Sequence, residues 1–213
     1  MQSREQQAEL QTLLKPPVIP VLTIADAKDA LPLARALAAG GLTSLEVTLR
    51  TEAAIAAIGI ISEALSSDVA VGAGTVRNPA QAEVALKAGA KFIVSPGMTP
   101  NLMDAAQDWP VPFLPGAATA SEAMVLADNG YETLKFFPAA QSGGIAALKA
   151  LSAPLPDIKF CPTGGINASN ASEYLELANV VCVGGSWVAP KDLVDRRDWA
   201  AIEVLARDAA ALS

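Results

Sequence analysis

Histidine is absent from the 213 residues of this chain, and cysteine occurs only twice. Without imidazole, neither a Ser-His-Asp triad, nor a Cys-His dyad, nor a histidine-bound zinc site can be built within the chain. The two cysteines, Cys161 and Cys182, lie in apolar segments. A single pair is too few for a disulfide framework in a chain of this length. We therefore expect two buried free thiols and a cytoplasmic protein.

Charge is scarce as well, because charged residues make up 17% of the chain and hydrophobic residues 52%. This composition excludes a disordered protein. Fifteen Lys and Arg stand against 22 Asp and Glu, a formal net charge of −7, which argues against a general nucleic-acid surface or an anionic-membrane surface. Long apolar runs are missing, and the first 15 residues lack the basic start of a secretory signal. Neither nucleic acid nor a membrane is an expected partner.

Eight short apolar segments, bounded by Gly or Pro, alternate with alanine-rich segments of helical character. This alternation predicts an α/β fold, a closed (β/α)8 TIM barrel, with a doubly wound open sheet as the alternative because periodicity does not establish closure. No linker or change of composition divides the chain, so we expect a single domain over residues 1–213. The predicted strands are 18–22, 44–49, 69–75, 92–96, 112–117, 134–138, 158–163 and 180–184.

The first 15 residues predict an extra N-terminal helix ahead of the first strand. Leu10, Leu13 and Leu14 have the i, i+3, i+4 spacing of an apolar stripe. We expect this helix to cover the bottom of the barrel, at the N-terminal ends of the strands, and we assign it no chemistry.

The second predicted strand places an acid on the face that should line the barrel. In residues 45–50, LEVTLR, alternation puts three apolar residues on one face and Glu46, Thr48 and Arg50 on the other. If the apolar face packs against helices, Glu46 points inward and Arg50 stands at the mouth. A buried ionisable group is costly unless it is paired or functional. A simple Glu46–Arg50 ion pair is the alternative without catalysis.

The sixth predicted strand carries a lysine among large apolar neighbours, in LKFFP at residues 134–138. Desolvation disfavours the ammonium form of Lys135, and a neutral amine is a nucleophile toward a carbonyl group. Lys159 is the rival, but it stands at the start of its strand, away from the C-terminal strand ends where barrel enzymes react. In the alternative interpretation Lys135 faces outward, with its stem between helices. We favour Lys135 as the reactive group.

Glycine-rich segments end the third, seventh and eighth predicted strands. The segment 71–75 offers Thr75 as a hydroxyl and an N–H group at the mouth. Paired glycines at 164–165 and 184–185 lie where barrels commonly bind phosphate through backbone N–H groups and a helix N-terminus; tight turns are the alternative. No metal-ligand spacing and no nucleotide motif is present, so we expect no metal and no cofactor.

Six segments occur in order along the chain: LEVTLRTE (45–52), VGAGTV (71–76), SPG (95–97), KFFPA (135–139), FCPTGGI (160–166) and GGSW (184–187). Together they resemble the 2-dehydro-3-deoxy-6-phosphogluconate (KDPG) aldolase family, whose members are also described as 4-hydroxy-2-oxoglutarate (KHG) aldolases. The resemblance implies a (β/α)8 barrel, a metal-free class I (Schiff-base) aldolase without a cofactor, and a homotrimer. It also implies pyruvate and a phosphorylated 2-keto acid as small-molecule partners.

The same resemblance implies a role for each matching residue. Lys135 forms the imine with the substrate ketone, and Glu46 moves protons through a bound water. One departure is visible, because Ala140 stands where the family often has Glu. The other implied contacts are Arg50 and Thr75 to the pyruvate carboxylate, Pro96 and Phe137 as pocket walls, Gly164, Gly165 and Ser186 to the phosphate, and Thr163 as a further substrate contact.

Three alternatives remain open at this stage. Within the family, the substrate could be the 6-phosphogalactonate epimer or unphosphorylated 4-hydroxy-2-oxoglutarate. In another class, the chain could be a phosphate-binding barrel isomerase or synthase, in which Lys135 is a bystander. A binding barrel without catalysis is the third.

Overall fold

The computed structural model describes residues 2–65, 67 and 69–212, in which strands and helices alternate. No helix in this described part combines the length and apolar character needed to cross a bilayer. The strands are β1 Val18–Leu22, β2 Ser44–Thr48, β3 Ala70–Gly74, β4 Ile93–Val94, β5 Phe113–Leu114, β6 Gly116–Ala117, β7 Thr133–Phe136, β8 Lys159–Pro162 and β9 Val183–Gly185. The α-helices are α1 Arg4–Leu13, α2 Ala30–Ala39, α3 Ala54–Leu65, α4 Pro79–Lys87, α5 Pro100–Ala105, α6 Ala120–Asp128, α7 Gly144–Ser152, α8 Ala171–Leu175, α9 Lys191–Asp195 and α10 Trp199–Ala210.

The strands form a curled parallel sheet in which sequential strands are neighbours. One set has the order β5-β4-β3-β2-β1-β9 and the other the order β6-β7-β8. The last strand pairs with the first, and a bridge between Thr163 and Gly184 links the ends of β8 and β9. A doubly wound sheet would reverse its strand order at a switch point. This order contains no reversal, so the open-sheet alternative does not fit.

The fifth predicted strand, 112–117, is two short strands rather than one. Pro115 separates β5 from β6 and has no N–H for the ladder. The following N–H, that of Gly116, is donated to the Ser95 hydroxyl at 3.4 Å. The last predicted strand, 180–184, begins later as β9, with Val180 in an isolated bridge. Helix α9 was not predicted.

Apolar side chains form two cores, one on each side of the curled sheet. The larger core lies between the sheet and the surrounding helices. The smaller lies on the inner side, toward the N-terminal ends of the strands, and we call it the inner cluster. Its buried members are Leu10, Leu14, Ile19, Phe92, Val94, Leu114, Cys161 and Cys182.

Helix α1 is held across the N-terminal ends of the strands by its polar residues. Ser3 and Gln6 form a capping box that satisfies backbone N–H groups at the start of the helix. The side-chain amide of Gln6 also donates to the Trp109 carbonyl at 2.8 Å, and that of Gln7 to the Gly130 carbonyl at 2.6 Å. These bonds join α1 to the loops that precede β5 and β7.

Candidate active site

Glu46 of β2 and Lys135 of β7 meet on the inner side of the sheet. Lys135 Nζ lies 3.0 Å from Glu46 Oε1 and 3.2 Å from Oε2. Their side chains are only 5% and 4% exposed. The alternative prediction that Lys135 faces outward is therefore wrong. The alternative ion pair of Glu46 with Arg50 is also wrong, because the partner of Glu46 is Lys135.

Two glycines of β3 make room for the groups that surround this pair. A Cβ atom at Gly74 would overlap the Glu46 carboxylate, and one at Gly72 would overlap the ring of Phe92. Gly74 is the register partner of Thr48, two residues beyond Glu46 on the neighbouring strand β2, and only a residue without a side chain leaves space there for the carboxylate. The glycine-rich pattern alone predicted only a close backbone approach at these two positions. Their alternation with Val71 and Ala73 could have placed both on the inner face.

Arg50 and Thr75 lie together just beyond the ends of β2 and β3. Arg50 Nε donates to Thr75 Oγ1 at 3.3 Å. Thr75 adopts φ +59°, an uncommon conformation for a β-branched residue and one that is often found at functional sites. The terminal nitrogens of the guanidinium group can hold a carboxylate in a bidentate manner. This corner of the site is therefore suited to the carboxylate of a keto acid.

Phe137 lies beside the lysine, and Pro96 lies next to the strand residue that pairs with it. The Phe137 ring centroid is 5.4 Å from Lys135 Nζ. Pro96 contacts the backbone at Gly116, where an added Cβ would overlap it. The Cα atom of Gly116 is the register partner of Lys135. Both residues are half-buried.

The loop after β8 presents backbone donors, as the paired glycines predict. Gly164 and Gly165 have φ values of +102° and +75°, in the region that favours glycine. Among the described residues, their N–H groups find no backbone acceptor. Helix α8 follows this loop and begins at Ala171, six residues after Gly165. Thr163 is buried at the end of β8, against Gly184.

Ser186 opens into a cleft of about 840 Å³ at the C-terminal ends of β1 and β9. Trp187, Thr23 and Val21 line the same cleft. The cations at its outer rim are paired with carboxylates: Lys191 with Asp195 at 2.5 Å, Arg196 with Asp192 at 3.3 Å, and Arg197 with Asp29 at 2.8 Å. An anion bound near Ser186 would therefore depend mainly on backbone and hydroxyl donors.

Lys159 and the metal-ligating residue types lie outside this arrangement. Lys159 is the first residue of β8, and its Nζ donates to the Ala178 carbonyl at 3.0 Å. Within the described ranges, no group of three or more Cys, Asp and Glu side chains is placed to hold a metal ion.

Residues 10–205 match the family model described as "Aldolase: KDPG and KHG aldolase". This chain belongs to the KDPG and KHG aldolase family. The family resemblance predicted from the six sequence segments is thereby confirmed. Because the match covers most of the chain, it includes every residue assigned to the site.

Relatives of high identity carry the same name. A 2-dehydro-3-deoxy-phosphogluconate aldolase of Pseudomonas aeruginosa is 53% identical over 192 residues, which cover 90% of this chain and 87% of the relative. The KDPG aldolase of Legionella pneumophila, with pyruvate captured as a covalent carbinolamine, is 47% identical with a TM-score of 0.91, covering 95% and 97% of the two chains. The Zymomonas mobilis enzyme with 3-phosphoglycerate is 44% identical with a TM-score of 0.91, covering 96% of each chain.

Proposed function

We propose that this chain is a class I, metal-independent aldolase that reversibly cleaves 2-dehydro-3-deoxy-6-phosphogluconate to pyruvate and glyceraldehyde 3-phosphate. The observation that carries the proposal is the enclosed Lys135–Glu46 pair, an amine within 3.0 Å of a carboxylate. A carbinolamine, the adduct captured in the Legionella relative, arises when an amine attacks a ketone. Among the described residues, Lys135 is the buried amine that also has a proton acceptor beside it.

The first half of the reaction forms the imine. Glu46 accepts a proton from Lys135 Nζ, because both carboxylate oxygens lie within hydrogen-bond distance, and the neutral amine attacks C2 of the keto acid. Transfer of a proton from the nitrogen to the oxygen of this adduct gives the carbinolamine, which then loses its hydroxyl group as water, using the proton that Glu46 returns. The product is a protonated imine between Lys135 and C2.

The second half breaks the carbon chain. Glu46, or a water that it orients, takes the proton of the C4 hydroxyl group, and the electron pair of the C3–C4 bond moves into the imine. Glyceraldehyde 3-phosphate leaves, and the enamine receives a proton at C3. Water then hydrolyses the imine, which releases pyruvate and restores Lys135.

The remaining site residues position the two ends of the substrate. Arg50 and Thr75 bind the carboxylate beside the keto carbon, and this orientation makes the attack effectively unimolecular. The phosphate end reaches the other side of the mouth, where backbone donors replace a basic side chain. The residues assigned to the phosphate are Gly164, Gly165 and Ser186. Those assigned to the walls of the site are Thr163, Pro96 and Phe137.

The enzyme so proposed is a closed (β/α)8 barrel in a single domain, covered at its bottom by the N-terminal helix. Closure is supported by the pairing of β9 with β1 and by the Thr163–Gly184 bridge. We also propose a cytoplasmic homotrimer. The side chains of Met124 and Val125 are 55% and 52% exposed, an apolar surface that subunit contact would cover. Light scattering during size exclusion should give about three times the chain mass of 21.8 kDa.

Borohydride reduction in the presence of pyruvate, followed by peptide mapping, tests the imine directly. We expect a single reduced pyruvate adduct on Lys135 and none on Lys159. An adduct on Lys159, or no adduct on folded protein, would contradict the proposal. Turnover of the phosphogluconate substrate, measured through coupled reduction of the released pyruvate, tests the substrate assignment separately.

The second candidate substrate is 4-hydroxy-2-oxoglutarate, because the matched family is described by both aldolase activities. It shares the keto acid end that Arg50 and Thr75 would bind, but it carries a carboxylate in place of the phosphate-bearing end. Comparing kcat/KM for the two substrates and for the 6-phosphogalactonate epimer would establish the preference.

A further inference from the structure

Thr23 stands at the mouth of the site but has no part in the reaction described above. It follows β1 by one residue, and the Cα atom of Val21, two residues earlier, is the register partner of Glu46. Residues two apart along an extended chain face the same side. Thr23 therefore continues the inner face of β1 above Val21, and its exposed side chain lines the cleft with Ser186 and Trp187.

The hydrogen bonds around Thr23 determine whether its hydroxyl group can still donate or accept a hydrogen bond. The Thr48 hydroxyl donates its only proton to the Leu22 carbonyl at 2.8 Å, and carbonyl oxygens accept only. Thr23 must therefore be the donor in the hydrogen bond between Thr23 Oγ1 and Thr48 Oγ1, which lie 3.3 Å apart. The Thr23 hydroxyl proton is thus engaged in a hydrogen bond, but the oxygen keeps a lone pair that can accept a hydrogen bond from another donor. An exposed acceptor that cannot act as a donor therefore faces the cleft.

The position of this acceptor matches one segment of the proposed substrate. The cleft extends from Val21, beside Glu46, to Ser186, where we place the phosphate. The carbon chain that joins the cleaved C3–C4 bond to the phosphate must cross the space between them. In the phosphogluconate substrate this segment carries the C5 hydroxyl group, which is a hydrogen-bond donor.

We infer that Thr23 is a specificity-determining residue that accepts a hydrogen bond from the C5 hydroxyl group of the substrate, oriented for this by Thr48. The inference rests on the proposed function, because it requires a phosphorylated polyhydroxy keto acid in the cleft. It assigns Thr23 no part in imine formation, since pyruvate has no carbon chain in this segment.

Thr23→Val and Thr23→Ser, assayed in two reactions, test the inference. The first reaction is cleavage of 2-dehydro-3-deoxy-6-phosphogluconate, and the second is exchange of the pyruvate methyl protons with deuterium, which needs the imine but no C5 hydroxyl. Valine matches threonine in shape and leaves the Thr48–Leu22 bond in place. We expect Thr23→Val to lower kcat/KM for cleavage at least tenfold and to change pyruvate exchange less than twofold. Thr23→Ser should recover most of the cleavage.

Thr51→Val is the matched control, because the Thr51 hydroxyl donates to the Ile24 carbonyl at 2.6 Å and anchors the same loop without lining the cleft. It should affect both reactions less than twofold. The inference is overturned if Thr23→Val cleaves the substrate as well as the wild type does, or if cleavage and exchange fall together in this variant. It is also overturned if Thr23→Ser is as impaired as Thr23→Val, or if Thr51→Val loses cleavage while keeping exchange. Failure of the wild type to cleave this substrate would instead refute the proposed function.

Discussion

The two ends of the inner side of the sheet differ in chemistry although the same strands build both. Toward the N-terminal ends the inner cluster is apolar, and α1 covers it. Toward the C-terminal ends Lys135, Glu46 and Arg50 occupy the inner positions. Lys135 and Cys161 are register partners on adjacent strands, so the polar site and the inner cluster meet at this level of the sheet. The amine of Lys135 faces a carboxylate, whereas Cys161 belongs to the inner cluster.

The thiols show what the apolar end does to a reactive group. The pKa of the Cys182 thiol is raised well above its ordinary value, mainly by a hydrogen bond with Cys161 and secondly by complete burial. A protonated buried thiol is a poor nucleophile. Both cysteines are free and buried, as the sequence predicted. The lower half of the inner side therefore supports the site through packing, and chemistry is confined to the upper half.

The largest expected effect comes from exchanging the two register partners for alanine. Lys135→Ala should lose essentially all aldol cleavage and form no reduced pyruvate adduct, because the nucleophile is removed. Cys161→Ala should retain most of the activity, since this thiol only packs. Steady-state kinetics and intact-mass analysis measure both. Substantial turnover by Lys135→Ala, or an inactive but folded Cys161→Ala, would remove the distinction between the polar site and the inner cluster.

The next effect concerns the stability of the inner cluster. Phe92 is 2% exposed and its ring fills the space that Gly72 leaves open. Phe92→Ala should lower the free energy of unfolding by about 3–5 kcal/mol, through lost burial and a residual cavity. Val84→Ala, at a side chain 48% exposed, should change it by less than about 0.5 kcal/mol. Denaturant unfolding measures both, and equal losses would argue against a tightly packed lower end.

A smaller effect should follow from filling the space beside the carboxylate. A Cβ atom at Gly74 would overlap Glu46, whereas one at Gly97 would meet nothing within 4 Å. Gly74→Ala should displace the carboxylate and lower kcat by about 10²-fold, since misplacing a catalytic group by about 1 Å can cost that much. Gly97→Ala should stay within about twofold. If both variants keep full activity, the position of Glu46 does not depend on the Gly74 gap.

Much of this fold could be predicted, because alternation and periodicity are local properties of the chain. Residues 44–49 and 134–138 read as strands, and polar residues within apolar runs marked Glu46 and Lys135. The break at Pro115 was missed because an apolar run with one proline still reads as a strand. Helix α9 was missed because it is short, highly charged and has no buried residue.

The contacts within the site could not be predicted from local patterns. The Lys135–Glu46 pair joins residues 89 apart, and only the strand register brings them together. For Glu46, local spacing offered only the alternative of a non-catalytic ion pair with Arg50, four residues away, whereas Arg50 contacts Thr75, just beyond the adjacent strand β3. The space-making role of Gly74 also depends on a neighbouring strand.

The smallest expected effect is a titration in the larger core, between the sheet and the helices. Tyr131 lies before β7, 2% exposed and 5.9 Å from the Phe113 ring centroid, and burial raises its pKa to about 12. The folded state thus holds the phenol proton more tightly than the unfolded state, whose pKa is near 10.0. The stabilisation is complete below pH 10 and is lost as pH rises toward 12. Tyr131→Phe lacks this titration, so its free energy of unfolding should fall less steeply between about pH 10 and 12 than that of the wild type. Denaturant unfolding across this range measures the difference, which isolates Tyr131 because every other titrating group is shared. Parallel curves would mean that Tyr131 ionises as readily in the folded protein as in the unfolded chain, and the larger core around Tyr131 would then be less closed than its packing indicates.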